Sequence, residues 1–166
     1  MTEVLSISDY HGNGLISFDC GEDDLNVFLR EYADQNERKG VSRTYLLVNG
    51  DSLIGYFTLS AAEICCESLS DRQKKSLPRY PIPAIRIARF AISKSMQGMG
   101  YGDRMMRYAL GKCLSVALSV GVVFIMVDAK PKAVPFYERF GFEKAIGTEM
   151  TYVIPVSVLA KATGLI

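Results

Sequence analysis

Tryptophan is absent from the chain and histidine occurs once, as His11. One histidine leaves little for a histidine-bearing metal cluster or a Ser-His triad, so neither a metal nor that form of nucleophilic catalysis is expected. The four cysteines, Cys20, Cys65, Cys66 and Cys113, contain no CxxC pair and no zinc-like spacing. Adjacent Cys65 and Cys66 are an awkward framework for disulfides, which points to reduced thiols in a cytoplasmic protein. Long hydrophobic runs are missing as well: the longest, Val120 to Val127, is far below the ~18 residues of a membrane span. The opening MTEVLSISDY carries Glu3 and Asp9 and no apolar stretch, so a secretory leader and a membrane partner are not expected.

Net charge is also nearly absent, since 19 Lys and Arg against 18 Asp and Glu leave +1. A dedicated nucleic-acid binder would ordinarily be more basic. The average hides a strong asymmetry. Residues 1–71 hold 4 basic and 13 acidic groups, residues 72–112 hold 10 and 1, and residues 113–166 hold 5 and 4. An anionic ligand or partner should therefore be sought in the central segment. The 166 residues are 49% hydrophobic, and no repeat or linker divides them, so one domain over 1–166 is expected.

Periodicity places the elements. Leu25, Phe28, Leu29 and Tyr32 recur at helical spacing within 22–39, with Glu22, Asp23 and Asp24 at the start and Gly40 at the end. Strands Thr44–Val48 and Leu53–Leu59 flank Asn49-Gly50-Asp51-Ser52, a hairpin signal. Pro78, Pro81 and Pro83 disfavour regular structure across SDRQKKSLPRYPIP. Strand Ile85–Ile92 then leads through SKSMQGMGYG into a helix that runs to Gly121, followed by strand Val122–Val127, a short helix Lys132–Phe140 and a last strand Thr151–Val156. A hairpin followed by a strand–helix–strand crossover predicts an α/β fold, with a mixed sheet flanked by helices on both faces.

The glycine loop carries the chemistry. Gln97-Gly98-Met99-Gly100-Tyr101-Gly102 joins a strand to a helix inside the basic segment. Glycines let successive N–H groups converge, and the helix start adds partial positive charge, a cradle for a pyrophosphate. The P-loop pattern fails because Asp103 and Arg104 follow Gly102. The dinucleotide fingerprint fails because Asp103 stands where its third glycine should.

The pattern that fits is Gln-x-x-Gly-x-Gly, which resembles the coenzyme A loop of the GNAT N-acetyltransferase family. Arg89-Phe90-Ala91-Ile92 resembles that family's strand before the loop, and Val127-Asp128-Ala129-Lys130 the end of its next strand. Ala133-Val134-Pro135-Phe136-Tyr137-Glu138-Arg139-Phe140-Gly141-Phe142 is similar to its A-x-x-FYE-x-x-GF helix and turn. Further likenesses, Phe18-Asp19-Cys20-Gly21, Ser42-Arg43-Thr44-Tyr45, Gly55 to Ser60 and Tyr80-Pro81-Ile82-Pro83, point to the GNAT toxins that are encoded beside ribbon-helix-helix antitoxins and acetylate the α-amine of aminoacyl-tRNA.

The resemblance implies a GNAT α/β fold, with a mostly antiparallel mixed sheet, and direct transfer of acetyl from acetyl-CoA to an amine. It assigns the pantetheine and acetyl carbonyl to the backbone of Phe90, Ala91 and Ile92. It assigns the pyrophosphate to Gln97, Gly98, Met99, Gly100, Tyr101 and Gly102, and proton donation to the leaving sulfur to Tyr137. Arg86, Arg89 and Lys94 are candidate contacts for substrate or RNA. Aminoacyl-tRNA, a ribbon-helix-helix antitoxin and a second copy of the chain are the implied partners. Two alternatives stand beside this: acetylation of a small-molecule or protein amine, and a non-catalytic CoA-binding module.

The residues by themselves leave choices open. Tyr137 also fits a packing role, with Phe136 and Phe140 as the core of its helix. Arg89 serves either a substrate or a carboxylate such as Glu63. Lys94, Arg104 and Arg107 make either a solvated face or an anion site.

Overall fold

A computed structural model describes residues 1–164. Seven strands form one mixed sheet: β1 (Thr2–Ser6), β2 (Arg43–Asn49), β3 (Ser52–Ile64), β4 (Ile82–Ile92), β5 (Phe124–Asp128), β6 (Glu143–Lys144) and β7 (Thr151–Pro155), in the order β1-β2-β3-β4-β5-β7-β6. The helices are α1 (Gly14–Ser17), α2 (Asp23–Val27), α3 (Ala33–Lys39), α4 (Asp71–Lys74), α5 (Tyr101–Ala117), α6 (Val134–Arg139) and α7 (Val156–Ala162). This is the α/β class that the strand–helix–strand pattern predicts. The residues gather into two compact units, one of 1–60 and 88–109, the other of 61–87 and 110 onward.

In the first unit, β1 and β2 pair antiparallel, as do β2 and β3. The hairpin closes through the two-residue loop Gly50-Asp51, with Asn49 opposite Ser52 and Gly50 at φ 61°. Positive φ at the first loop residue alone is the type II′ pattern, which places glycine there, so the turn is Gly-Asp and Asn49 stays paired in β2 instead of forming the Asn-Gly turn expected. The acidic helix expected over 22–39 forms in three pieces. A turn of π-helix, Phe28–Tyr32, separates α2 from α3, and Gly40 ends the run at φ 72°. Phe28, Leu29 and Ala33 are buried with Phe18, Cys20, Leu46, Val48, Tyr56 and Ala91 in one core. Each large side chain there contributes roughly 1.5–3 kcal/mol of burial. The Tyr56 hydroxyl donates to Leu25 O at 2.6 Å and so satisfies the polar end of a fully buried ring.

In the second unit, β4 and β5 pair in parallel over Ala84–Ile87 and Phe124–Val127. Strands β5 and β6 each pair antiparallel with β7. Parallel neighbours need a long crossover, and α5 provides it. The core gathers Ile64, Leu69, Ile82, Ala84, Phe124, Met126, Ala145 and Val153.

Five elements form where the sequence reading placed none: β1, α1, α4, β6 and α7. Strand β1 lies in a segment assigned no structure. Helix α4 forms within the proline-rich opening because a capping box holds it: Ser70 Oγ accepts from Gln73 N–H, and Gln73 Oε1 accepts from Ser70 N–H. Helix α7 follows β7, the strand expected to be last.

Candidate functional site

The glycine loop is built as its composition requires. Gly98 and Gly100 adopt φ 78° and 87°, and a Cβ placed on either would meet nothing within 4 Å. The loop backbone therefore faces open space at two successive glycines, which suits close approach of a diphosphate. The α5 ladder begins where Arg104 N–H donates to Gly100 O at 3.2 Å. The N–H groups of Tyr101 and Gly102 precede that bond and stand at the positive end of a 17-residue helix. Lys94, Arg104 and Arg107 are exposed nearby in sequence. Lys94 Nζ reaches Asp19 Oδ2 only at 4.0 Å, and Arg104 Nη1 donates to Thr2 Oγ1 at 2.7 Å. The donor set fits an anionic, phosphate-bearing group.

Gln97 holds this loop in place. Its Nε2 donates to Cys20 O and to Ile92 O, both at 2.9 Å. The glutamine of the motif thus ties the loop to the end of β4 and to the Cys20-Gly21 turn. Asp19 braces the same turn, accepting from Gly21 N–H at 2.9 Å and Asn26 Nδ2 at 3.0 Å. These bonds hold the exposed Asp19 carboxyl below its ordinary value. Lys94 N–H donates to Asp19 O at 2.8 Å, which ties in the start of the loop as well. Sequence reading missed this brace, because its members lie 77 residues apart at the extreme.

Phe90, Ala91 and Ile92 end β4 as expected. Ala91 is buried, and the Ala91 carbonyl lies so close to Gly55 that a Cβ there would sit 2.6 Å from it. The alternation of β4 brings Arg89 to the same side of the strand as Ala91. Its guanidinium lies 3.7 Å from the centroid of the Phe28 ring. That ring, carried by the π-helical turn, is the contact Arg89 makes in place of the suggested carboxylate Glu63.

In the second unit, helix α6 buries a different side chain from those its spacing favoured. Tyr137 is 5% exposed, whereas Phe136 and Phe140 are half-buried. The Tyr137 ring meets Phe136 at 5.3 Å and Phe142 at 5.7 Å, both edge to face. Burial pushes its phenol well above the ordinary value, so the hydroxyl keeps its proton throughout the physiological range. Arg86, on β4, is engaged: Nη1 donates to Asp128 Oδ2 at the end of β5, and Thr151 Oγ1 donates to Asp128 Oδ1 at 2.8 Å. Asp128, quoted from the sequence only as part of a strand end, is the hub of that network.

The profile of the acetyltransferase (GNAT) domain matches residues 16–152. A tRNA-acetylating toxin of Mycobacterium tuberculosis is 32% identical over 138 residues, 82% of this chain and 81% of that protein. Among solved structures, a tyrosine-to-phenylalanine mutant of KacT is 30% identical, with a TM-score of 0.91 over 97% of this chain and 98% of its own. AtaT complexed with acetyl-methionyl-tRNAfMet is 28% identical, with a TM-score of 0.90 over 98% and 99%.

Proposed function

Because this chain belongs to the GNAT acetyltransferase family, we propose that it moves acetyl from acetyl-CoA to the α-amino group of an aminoacyl-tRNA. The observation that carries the proposal is the 32% identity, across four fifths of both chains, with a tRNA-acetylating toxin. The glycine loop supports the donor half of the reaction, since its open, positive-φ glycines stand at the head of α5. The whole chain, 1–166, serves as one acetyltransferase domain in this reading.

Acetyl-CoA supplies a thioester carbonyl for attack by a neutral amine. The chain's own residues do the rest. Backbone N–H groups of the Gly98–Gly102 loop hold the diphosphate, with α5 adding partial positive charge. Backbone groups of Phe90, Ala91 and Ile92 align the pantetheine and polarise the carbonyl, a stabilisation that matters most once negative charge develops on oxygen. The Tyr137 hydroxyl donates its proton to the departing sulfur. Burial keeps the phenol neutral but makes it a weaker acid, so the assignment stands on the likeness of the Phe136-Tyr137-Glu138 motif to the family's and not on the shift. Water takes the proton released by the amine. Arg89 and Lys94 offer positive charge to the RNA, whereas Arg86 is committed to Asp128 and positions that carboxylate.

As a toxin of this kind the protein acts in the cytoplasm and halts translation. Among the described residues, no helix is long and apolar enough to cross a membrane. A mutant of AtaT has been solved bound to the C-terminus of the antitoxin AtaR, which supports an antitoxin as a partner here; its ribbon-helix-helix class follows from the sequence resemblance alone. A homodimer completes the assembly that we infer. Expression without an antitoxin should arrest growth, with N-acetyl-aminoacyl-tRNA accumulating in the cells. Harmless expression of a protein that turns over acetyl-CoA would refute the toxin reading.

A further inference from the structure

Among the described residues, Ser76 is the one non-glycine residue with positive φ, at 69°. Lys75 before it stands at φ −57° and ψ 128°, and Leu77 N–H donates to Lys74 O at 3.0 Å. These are the angles and the bond of a type II turn, with serine at the position that glycine ordinarily takes. Backbone strain of this kind persists where the surroundings hold it, and it gathers at segments that meet ligands.

The surroundings here are specific. Helix α4 and its capping box hold one end of the turn. Arg72 pairs with Glu143 at 2.8 Å, and Lys74 pairs with Asp71 at 3.6 Å. Those contacts neutralise two of the four cations in residues 72–79. The other two, Lys75 and Arg79, are exposed and have no carboxylate partner among the described residues. Tyr80 follows them, 65% exposed, with Pro78 and Pro81 on either side to limit the backbone. Lys74 and Arg79 also line a cavity of about 380 Å³ with Cys66, Glu67 and Leu77. Unbalanced cations beside a presented aromatic ring match the two components of RNA recognition, phosphate charge and base face.

We infer that the Lys74–Tyr80 turn is a docking site for the tRNA acceptor arm, with Lys75 and Arg79 on backbone phosphates and Tyr80 against a base or ribose. It rests on aminoacyl-tRNA being the acceptor, and it assigns one part of the basic segment to RNA separately from the coenzyme loop.

The test is a fluorescence anisotropy titration of the full chain with a labelled acceptor-stem minihelix ending in single-stranded CCA, repeated from roughly 50 to 200 mM salt. Lys75→Gln and Arg79→Gln should each weaken binding several-fold and lower the slope of log affinity against log salt by about one. Tyr80→Ala should weaken it by about tenfold with the slope unchanged. Ser76→Gly, which suits the turn angles, should bind as the parent does, and so should Lys161→Gln on α7, a charge control. Failure of the parent chain to bind the minihelix, or parent-like affinity and slope in the Lys75 and Arg79 variants, would overturn the inference. Loss of affinity for an acidic peptide in place of the minihelix would also overturn it, by reassigning the turn to a protein partner. The two readings fail separately. Docking that depends on these residues without acetylation of charged tRNA would refute the proposed acceptor, whereas acetylation with unchanged tRNA KM in the variants would refute the docking site alone.

Discussion

Replacing Gly55 with alanine should damage both stability and acetyl transfer, and the structure gives the reason in distances. A Cβ on Gly55 would lie 2.6 Å from the Ala91 carbonyl oxygen, 2.7 Å from Ile92 Cδ1 and 3.2 Å from Met105 Sδ. The isoleucine methyl lies at the end of a flexible side chain and can turn aside. The carbonyl belongs to β4 and cannot. Ordinary carbon–oxygen contacts begin near ~3.3 Å, so the strand must shift by more than about 0.5 Å between Phe90 and Ile92. Overpacking of this kind costs about 1–3 kcal/mol. In a chain of this size that is a fall in Tm of roughly 2–12 °C. The same shift moves the backbone proposed to polarise the thioester, so turnover should fall by about 10- to 100-fold. Thermal denaturation and an acetyl-CoA turnover assay read the two effects. Gly111→Ala is the matched control: it lies exposed within α5, a Cβ there would meet nothing within 4 Å, and alanine should stabilise the helix by about 0.5–1 kcal/mol. A Gly55→Ala protein with the parent's Tm and turnover would refute the reasoning.

Tyr137→Phe should lower turnover by about 10²- to 10⁴-fold while acetyl-CoA still binds in equilibrium dialysis, and an unchanged rate would remove the proton donor from the mechanism. Gln97→Ala removes both bonds that tie the loop to Cys20 O and Ile92 O, so stability should fall by about 1–3 kcal/mol and acetyl-CoA affinity should weaken. Burial pushes the Cys113 thiol up from 9.0 to about 12. Between those values the folded chain holds a proton that the unfolded chain has released, so Tm should be insensitive to this group below pH 9 and decline above it; Cys113→Ala should lessen the decline seen in melts across that range.

Much of the strand–loop–helix unit was legible in the sequence because its signals are local. Glycines at 98 and 100, a strand before them and helical spacing after them are contiguous, and the structure places β4, the loop and α5 in that order. Hydrophobic periodicity likewise marked the acidic helix, although the π-helical turn at Phe28–Tyr32 leaves no trace in spacing. What escaped was set by distant partners. Strand β1 is only five residues long and is set by pairing with β2, residue 2 opposite residue 49. Helix α4 depends on a reciprocal cap that the surrounding prolines obscured. The commitment of Arg86 to Asp128 joins residues 42 apart, and the Gln97 brace reaches back to Cys20. On α6 the i, i+4 phenylalanines suggested the core face, yet Tyr137 is the ring that is buried. Spacing identifies residues on a common face and cannot say which face the rest of the fold will cover.

The most direct test of the account is transfer of labelled acetyl from acetyl-CoA to charged tRNA by the purified chain, followed by nuclease digestion and mass analysis of the terminal aminoacyl-adenosine. Label is expected on the α-amine of the ester-linked amino acid, dependent on Tyr137. Label that appears only on free amines or on protein, with charged tRNA left unmodified, would contradict it.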